Sequence, residues 1–132
     1  MKSIHCFYTL LLVSCSSNAI ELDVNSQSIK SCNNKSIYSI YITNETTLET
    51  NHIIWGDTLS SPPRALDLNN ITKGYNIYQG WRRKRIYSSS FKLSPLTSYS
   101  VERAQGDATS YKLTVRTDNG GNISEVTPSG CP

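Results

Sequence analysis

Hydrophobic and polar residues alternate with a period of two along much of this chain, whereas helical periodicity is almost absent. The clearest case is residues 111–116, in which Tyr, Leu and Val alternate with Lys, Thr and Arg. Because successive side chains of a β-strand point to opposite faces, this spacing predicts a strand with one buried and one solvated face. The same alternation predicts strands over residues 20–24, 36–43, 87–93 and 99–103.

Turn-forming residues separate these segments, and their spacing indicates the fold class. Asp118-Asn119-Gly120-Gly121 lies between two strand-like segments and predicts a C-terminal hairpin. The length of 132 residues corresponds to a single domain. About seven or eight short strands at this spacing favour an all-β fold, namely an antiparallel immunoglobulin-like sandwich.

One stretch of the chain is similar to a known strand corner. Residues 93–101 have the sequence Leu-Ser-Pro-Leu-Thr-Ser-Tyr-Ser-Val. This resembles the Leu-x-Pro-x-Thr-x-Tyr-x-Val corner of fibronectin type III domains, in which the tyrosine hydroxyl bonds back to the chain before the next strand. The resemblance favours a sandwich over a closed barrel.

The N-terminus has the layout of a secretory signal, with Lys2 followed by about ten mostly apolar residues. This run is too short to cross a bilayer, which needs roughly 20 apolar residues. Leu12-Val13-Ser14-Cys15 resembles a bacterial lipobox, in which the cysteine is acylated and becomes the first mature residue. A second site competes with it, because Ser17-Asn18-Ala19 places small residues where an ordinary signal peptidase cleaves.

These sites lead to two expectations about the mature protein. In the first, residues 1–14 are a lipoprotein signal peptide, residues 15–19 a short tether and residues 20–132 a single β-sandwich domain. Acylated Cys15 would then be the membrane anchor, and Ser16 is compatible with the outer membrane, facing the periplasm. In the second, cleavage after Ala19 releases a soluble secreted protein that starts at Ile20. Both predict export.

Two of the four cysteines, Cys32 and Cys131, remain in the domain after either cleavage. In an oxidising compartment such a pair predicts a disulfide that clasps the two ends of the domain. The rival interpretation is a pair of free thiols for metal binding or redox chemistry. It lacks support, because the sequence has no Cys-x-x-Cys motif or histidine cluster near them.

No set of residues in the sequence indicates catalysis. His52 is the single histidine beyond the predicted signal peptide, and beside Ile53-Ile54-Trp55 it is interpreted as a strand-end residue rather than a base or a ligand. No Gly-x-Ser-x-Gly motif marks a nucleophile, and the acidic residues are scattered mostly through predicted turns. We therefore expect a protein that is not an enzyme and that has no cofactor and no metal site.

Four consecutive cations, flanked by aromatic residues, form the most concentrated feature of the sequence. They could be a surface for a protein partner, because cations steer approach and Trp, Tyr and Arg supply buried anchors. They could also be a solvated loop or edge strand whose charges discourage pairing with other edges. Nucleic acid is not an expected partner, since the net charge is only +3 and the chain is exported. The candidate partner-binding residues are Tyr75, Tyr78, Trp81, Arg82, Arg83, Lys84, Arg85 and Tyr87.

The chain also contains four Asn-x-Ser/Thr sequons, which begin at Asn34, Asn44, Asn70 and Asn122. In a eukaryotic or viral secreted chain they would carry glycans on surface loops. In a bacterial lipoprotein they are inert. A secreted glycoprotein domain is therefore an alternative interpretation.

The lipobox, the small size and two aromatic segments, residues 74–81 and 86–93, give the chain a resemblance to a bacterial group. It resembles the small periplasmic lipoproteins classed as immunity proteins of type VI secretion systems. The resemblance implies a membrane-anchored protein that binds a periplasm-acting toxin stoichiometrically and covers its active site. The alternative is a structural or envelope-interaction lipoprotein without a toxin partner.

Overall fold

A computed structural model describes residues 17–132. The predicted signal peptide and the predicted lipidation site Cys15 lie outside the described residues. The described part of the chain contains ten β-strands and one short 3-10 helix, Ser88–Ser90. The strands are β1 (Ile20–Asp23), β2 (Ser28–Ser31), β3 (Ser39–Asn44), β4 (Thr50–Trp55), β5 (Ala65–Asp67), β6 (Tyr75–Gln79), β7 (Lys84–Ile86), β8 (Ser98–Arg103), β9 (Tyr111–Thr117) and β10 (Ile123–Thr127).

The strands form two antiparallel sheets. The smaller sheet has the order β1-β2-β5, and the larger has the order β10-β9-β8-β3-β4-β6-β7. Strand β3 pairs with both β4 and β8, which joins the two halves of the chain in one sheet. The prediction of an all-β antiparallel fold is confirmed, with ten strands in place of the about seven or eight expected from turn spacing.

Each sheet is apolar on the face that meets the other. Ile40, Ile53 and Ile77 stand opposite one another on β3, β4 and β6, and each is at most 1% exposed. From the smaller sheet, Ile20 and Ile29 are fully buried in the same core. Since burial of apolar surface is the dominant favourable contribution to folding, the contact between the two apolar faces is the main source of stability.

The alternation over residues 87–93 predicted a strand, and this prediction is wrong. The backbone turns there as a 3-10 helix, because Ser90 and Phe91 donate their N–H groups to the carbonyls of Tyr87 and Ser88. Phe91 still enters the core and is only 7% exposed. The pattern therefore marked a buried residue but not its backbone conformation.

The corner at residues 93–101 has the hydrogen bond that the resemblance to fibronectin type III domains implied. The hydroxyl of Tyr99 accepts a hydrogen bond from the backbone N–H of Ser94 at 2.8 Å, and Tyr99 is only 4% exposed. The strand order, however, does not confirm an immunoglobulin-like topology. That topology divides its strands into two sheets of similar size, whereas these sheets hold three and seven strands.

Cys32 and Cys131 form a disulfide, which confirms the predicted pairing. It joins the residue after β2 to the penultimate residue of the chain. A disulfide suggests an oxidising, extracytoplasmic compartment. Within residues 17–132, no helix is long and apolar enough to cross a membrane.

We predict that replacing both cysteines, Cys32→Ala with Cys131→Ala, lowers the free energy of unfolding by roughly 2–5 kcal/mol. The bond closes a loop with a sequence separation of 99, and its loss leaves the unfolded chain less restricted. Urea denaturation with and without reductant measures the change. Reduced wild-type protein should match the double variant, and an unchanged unfolding midpoint in both would contradict the prediction.

Candidate functional site

The outer face of the seven-stranded sheet carries a row of polar and aromatic side chains. The register of the strands places the members of this row opposite one another on adjacent strands. Because the smaller sheet covers only the inner face, no described strand packs over this row. The outer row consists of Lys112, Glu102, Tyr41, His52, Tyr78 and Arg85.

His52 lies at the centre of the outer row and is only 7% exposed. Its ring stacks on Tyr41, with centroids 4.1 Å apart and planes 7° from parallel. Its Nε2 is 2.7 Å from Ser39 Oγ, and its Nδ1 is 3.3 Å from a guanidinium nitrogen of Arg83. Since a guanidinium only donates, Nδ1 accepts, and Nε2 carries the proton that is donated to Ser39.

Arg83 covers His52 from the β6–β7 hairpin. Its guanidinium lies 4.8 Å from the centroid of the Tyr78 ring, in cation–π contact. Burial, together with the positive charge of Arg83, lowers the pKa of His52 below its usual value of 6.5. The arrangement therefore requires a neutral imidazole.

Two hairpin turns lie side by side at one end of this face. The β3–β4 turn presents Leu48, which is 63% exposed, and the β6–β7 turn presents Trp81, which is 92% exposed. A hydrogen bond of 2.9 Å from the Gly80 N–H to the Thr50 carbonyl holds the turns together. The tip surface is the set of Leu48, Trp81, Arg82, Arg83 and Lys84, and a cavity of about 140 Å³ lies between Leu48 and Trp81.

The backbone of the tip surface is strained. Leu48 has a φ of 64° and Arg83 a φ of 51°, in the left-handed region that glycine adopts more readily. A bulky residue in this conformation is uncommon, because its side chain clashes with the backbone where glycine does not. Both turns therefore keep a large side chain where glycine would fit the backbone better.

The charges of the two turns are segregated. Arg82, Arg83 and Lys84 are exposed on one turn, and Glu45 and Glu49 are exposed on the other. Among residues 17–132, the only side-chain ion pair joins Lys30 to Asp23, so these cations have no carboxylate partner within the described chain. The tip surface thus combines exposed apolar side chains with cations that form no ion pair within the described chain.

The structure brings most of the candidate partner-binding residues to one side of the molecule. Trp81, Arg82, Arg83, Lys84 and Arg85 are exposed on the β6–β7 hairpin, and Tyr78 lies beneath Arg83. Arg85 also donates a hydrogen bond of 2.8 Å to Asn76 Oδ1. Tyr87, just after β7, is 83% exposed.

Tyr75 is the exception, because it points into the core and is unavailable to a partner. It is 8% exposed, its hydroxyl donates a 2.6 Å hydrogen bond to the Ile37 carbonyl, and its ring meets Trp55 edge-on. Tyr75 and Tyr78 are three residues apart on one strand, so they point to opposite faces.

Sequence reasoning missed Leu48, Ser39 and Tyr41. The alternation over residues 36–43 does place Ser39 and Tyr41 on the face opposite Ile40 and Ile42, but it does not single them out as site residues. The sequence does not show that Tyr41 and Arg83 contact the same His52 ring, because this arrangement depends on β4 pairing with β6 and not with β5. His52 itself lies in the middle of β4, not at its end.

Glu21, Cys32 and Cys131 form the one group of possible metal-ligating side chains found among residues 17–132. The two sulfur atoms are bonded to each other, and a disulfide offers no thiolate to a metal ion. This group is therefore a structural clasp.

Comparisons of the chain with protein-family models, with curated proteins and with solved structures found no match.

We predict that the free energy of unfolding decreases as the pH is lowered below 6.5, the pKa of His52 in the unfolded chain. Above pH 6.5 His52 is neutral in both the folded and the unfolded state, so its contacts contribute fully to stability. As the pH falls below 6.5 towards the lower folded pKa, the unfolded chain binds the proton first and the folded state loses stability. Urea denaturation from about pH 7.5 to about pH 5 measures this loss.

His52→Gln removes the titrating group, so the stability difference between wild type and this variant should shrink as the pH falls. Ser39→Ala is the matched control, because it removes one hydrogen bond but keeps the imidazole beside Arg83. Its stability should follow the wild-type pH slope. A constant difference between wild type and His52→Gln would refute the assignment.

Proposed function

We propose that this protein is an exported binding protein that neutralises a periplasm-acting toxin by stoichiometric binding through its tip surface. The observation that carries the proposal is Trp81, which is 92% exposed, beside the cations Arg82, Arg83 and Lys84, which form no ion pair within the described chain. Trp and Arg are the residues that most often dominate binding energy at protein interfaces. Exposed apolar groups rimmed by polar ones mark sites of protein interaction.

The charge of the tip surface indicates the chemistry of the partner. Exposed cations without an ion-pair partner attract an acidic surface and accelerate association with it. Trp81 and Leu48 then supply apolar area that is removed from water on contact. The partner surface that fits is acidic with an apolar centre, and a toxin whose active site carries carboxylates has that chemistry.

The role of His52 in the proposed function is structural. Both ring nitrogens are engaged, one by Ser39 and one by Arg83, and the ring is almost wholly buried. A catalytic base must reach the proton that it removes, whereas this imidazole supports Arg83 from below. We therefore propose binding without catalysis.

Anchorage at Cys15 completes the proposal. A lipid on this cysteine would hold the protein at the periplasmic side of the outer membrane, where a delivered toxin arrives. Two or more acyl chains suffice for stable anchoring, and a lipoprotein cysteine carries them. The disulfide Cys32–Cys131 supports an oxidising compartment of this kind.

We also propose that the fold is a distant variant of the immunoglobulin-like sandwich. Support comes from the Tyr99 corner, whose hydroxyl bonds back to Ser94 as in fibronectin type III domains. The three additional strands then extend the larger sheet at its edges.

The experiment that tests the function uses the product of the reading frame adjacent to this one, directed to the periplasm. Co-expression of the wild-type protein should restore growth, and the two purified proteins should form a complex with one copy of each by isothermal titration calorimetry. If that product is not toxic and does not bind, the envelope-interaction alternative replaces the immunity function.

We predict that Trp81→Ala weakens this complex on the order of 30-fold, the effect of removing a central aromatic anchor. Leu59→Ala is the matched control, because Leu59 is 95% exposed but lies beyond the opposite end of β4. Calorimetry should give wild-type affinity for this control. Equal affinities of the two variants would remove the tip surface from the interface.

A second substitution separates binding from stability. Leu48→Gly removes an apolar contact from the tip surface and relieves a φ of 64°, so it should weaken binding without lowering the unfolding midpoint. Leu96→Gly is the control, because Leu96 has a similar φ of 50° and similar exposure of 60% beside the β9–β10 turn. It should leave the affinity unchanged. Wild-type affinity in Leu48→Gly would show that the partner does not contact this turn.

A further inference from the structure

Asn18 is built into the domain although it precedes the first strand. It is only 2% exposed, and its side-chain amide donates hydrogen bonds of 3.1 Å to the carbonyls of Ala108 and Thr109. Its side-chain oxygen accepts a hydrogen bond of 3.2 Å from the N–H of Gln105. The Asn18 side chain therefore satisfies three backbone groups of the β8–β9 loop, which would otherwise lose their partners.

Ala19 and Ile20 are buried in the same way. Ala19 is 3% exposed, and its carbonyl accepts a hydrogen bond of 2.9 Å from the N–H of Cys32, beside the disulfide. Ile20 has no exposed surface. Cleavage between them would remove that carbonyl and place a new α-amino group, positively charged near neutral pH, at a fully buried residue. Burying such a charge without a partner is costly.

Ser17 extends this network to the most deeply buried cation of the domain. The Ser17 carbonyl accepts a 2.7 Å hydrogen bond from the amide of Asn33. The Asn33 oxygen and the Ser31 hydroxyl in turn accept hydrogen bonds from the guanidinium of Arg103, which is 1% exposed. Loss of residues 17–19 would open the polar surroundings of a buried charge.

We infer that residues 17–19 are retained in the mature protein, so that processing takes place upstream of Ser17 and the alternative cleavage after Ala19 does not occur; that this upstream site is the one before Cys15 rests on the proposed function. Residues 17–19 then belong to the folded domain and are not a flexible tether. The lipid at Cys15 likewise rests on the proposed function. Burial and hydrogen bonding of residues 17–19, and not a sequence motif, select between the two maturation sites.

The same contacts orient the domain on the membrane. Cys15 lies two positions before Ser17 in the sequence, a reach of at most about 7 Å. Asn18 lies against the β8–β9 loop, and in the larger sheet this loop is at the end where β3 begins. The tip surface is at the end where β3 finishes, about 20 Å further along a strand of six residues. The lipid thus holds the loop end near the membrane and directs the tip surface away from it.

The deciding experiment is intact mass and N-terminal peptide analysis of the full chain, expressed in a Gram-negative host and purified from its membranes and its medium. The expected N-terminal peptide begins at acylated Cys15 and retains Asn18. A mature protein that begins at Ile20 would overturn the inference. Neither result depends on a toxin partner, so failure here is distinguishable from failure of the proposed function.

Asn18→Ala in the full chain gives an independent readout. If residue 18 is retained, this substitution should lower the unfolding midpoint of the purified mature protein by several degrees. If residue 18 is removed with the signal peptide, the mature proteins are identical and the midpoints must coincide. Asn25→Ala is the control, because Asn25 is exposed and its substitution should not move the midpoint.

The orientation is tested with the acylated protein in phosphatidylethanolamine–phosphatidylglycerol vesicles that contain a dibrominated phosphatidylcholine. Bromine quenches tryptophan only at close range, and the emission of Trp81 is the difference between wild type and Trp81→Phe. We expect this emission to be unquenched. Quenching of Trp81 would show that the tip surface faces the membrane and would overturn the orientation.

Discussion

The three-stranded sheet must cover the apolar face of the seven-stranded sheet, and this mismatch in size determines how the domain is built. The small sheet cannot fill the core alone, so side chains from loops complete it, among them Ile37, Ile71 and Phe91. A loop that enters a core brings backbone polar groups with it, and these need partners. Buried polar side chains supply them. Gln27, for example, donates to the Val24 and Ile123 carbonyls and accepts from the Ile123 N–H.

Arg103 also needs hydrogen-bond partners inside the domain, and the need is greater because its buried side chain is charged. Its guanidinium is buried without a carboxylate partner among the described residues, and burial lowers its pKa. It is held by the Ser31 hydroxyl, the Asn33 amide oxygen and the Ser36 carbonyl. Because these acceptors come from the chain between β2 and β3, Arg103 fixes that loop, and through Asn33 it fixes the first described residues. The stability of the core and the position of the N-terminal end are therefore linked.

The uncovered face of the large sheet is a consequence of the same mismatch. With no layer over it, its side chains remain polar and aromatic, and they support one another across the strands. Arg83 stacks on Tyr78 and donates to His52, which in turn stacks on Tyr41. This support lets Arg83 keep a backbone conformation that is unfavourable for a side chain, and it fixes the β6–β7 turn that carries Trp81. A rigid support of this kind lowers the entropic cost of binding.

The sequence by itself determined the all-β class, the pairing of Cys32 with Cys131, the C-terminal hairpin and the exposure of the cations in residues 82–85. These features depend on local alternation, on the number of cysteines available and on the solvation of charge, which do not need a partner strand to be known. Only the tertiary structure decided that Tyr75 is buried in the core while Tyr78 lies half-buried on the outer face, that Leu48 lies beside Trp81 and that Asn18 belongs to the domain. Each depends on which strands pair across long stretches of sequence, and local patterns carry no information about that choice. The alternation of hydrophobic and polar residues identifies the two faces of a strand, but the strand order determines which residues each face packs against.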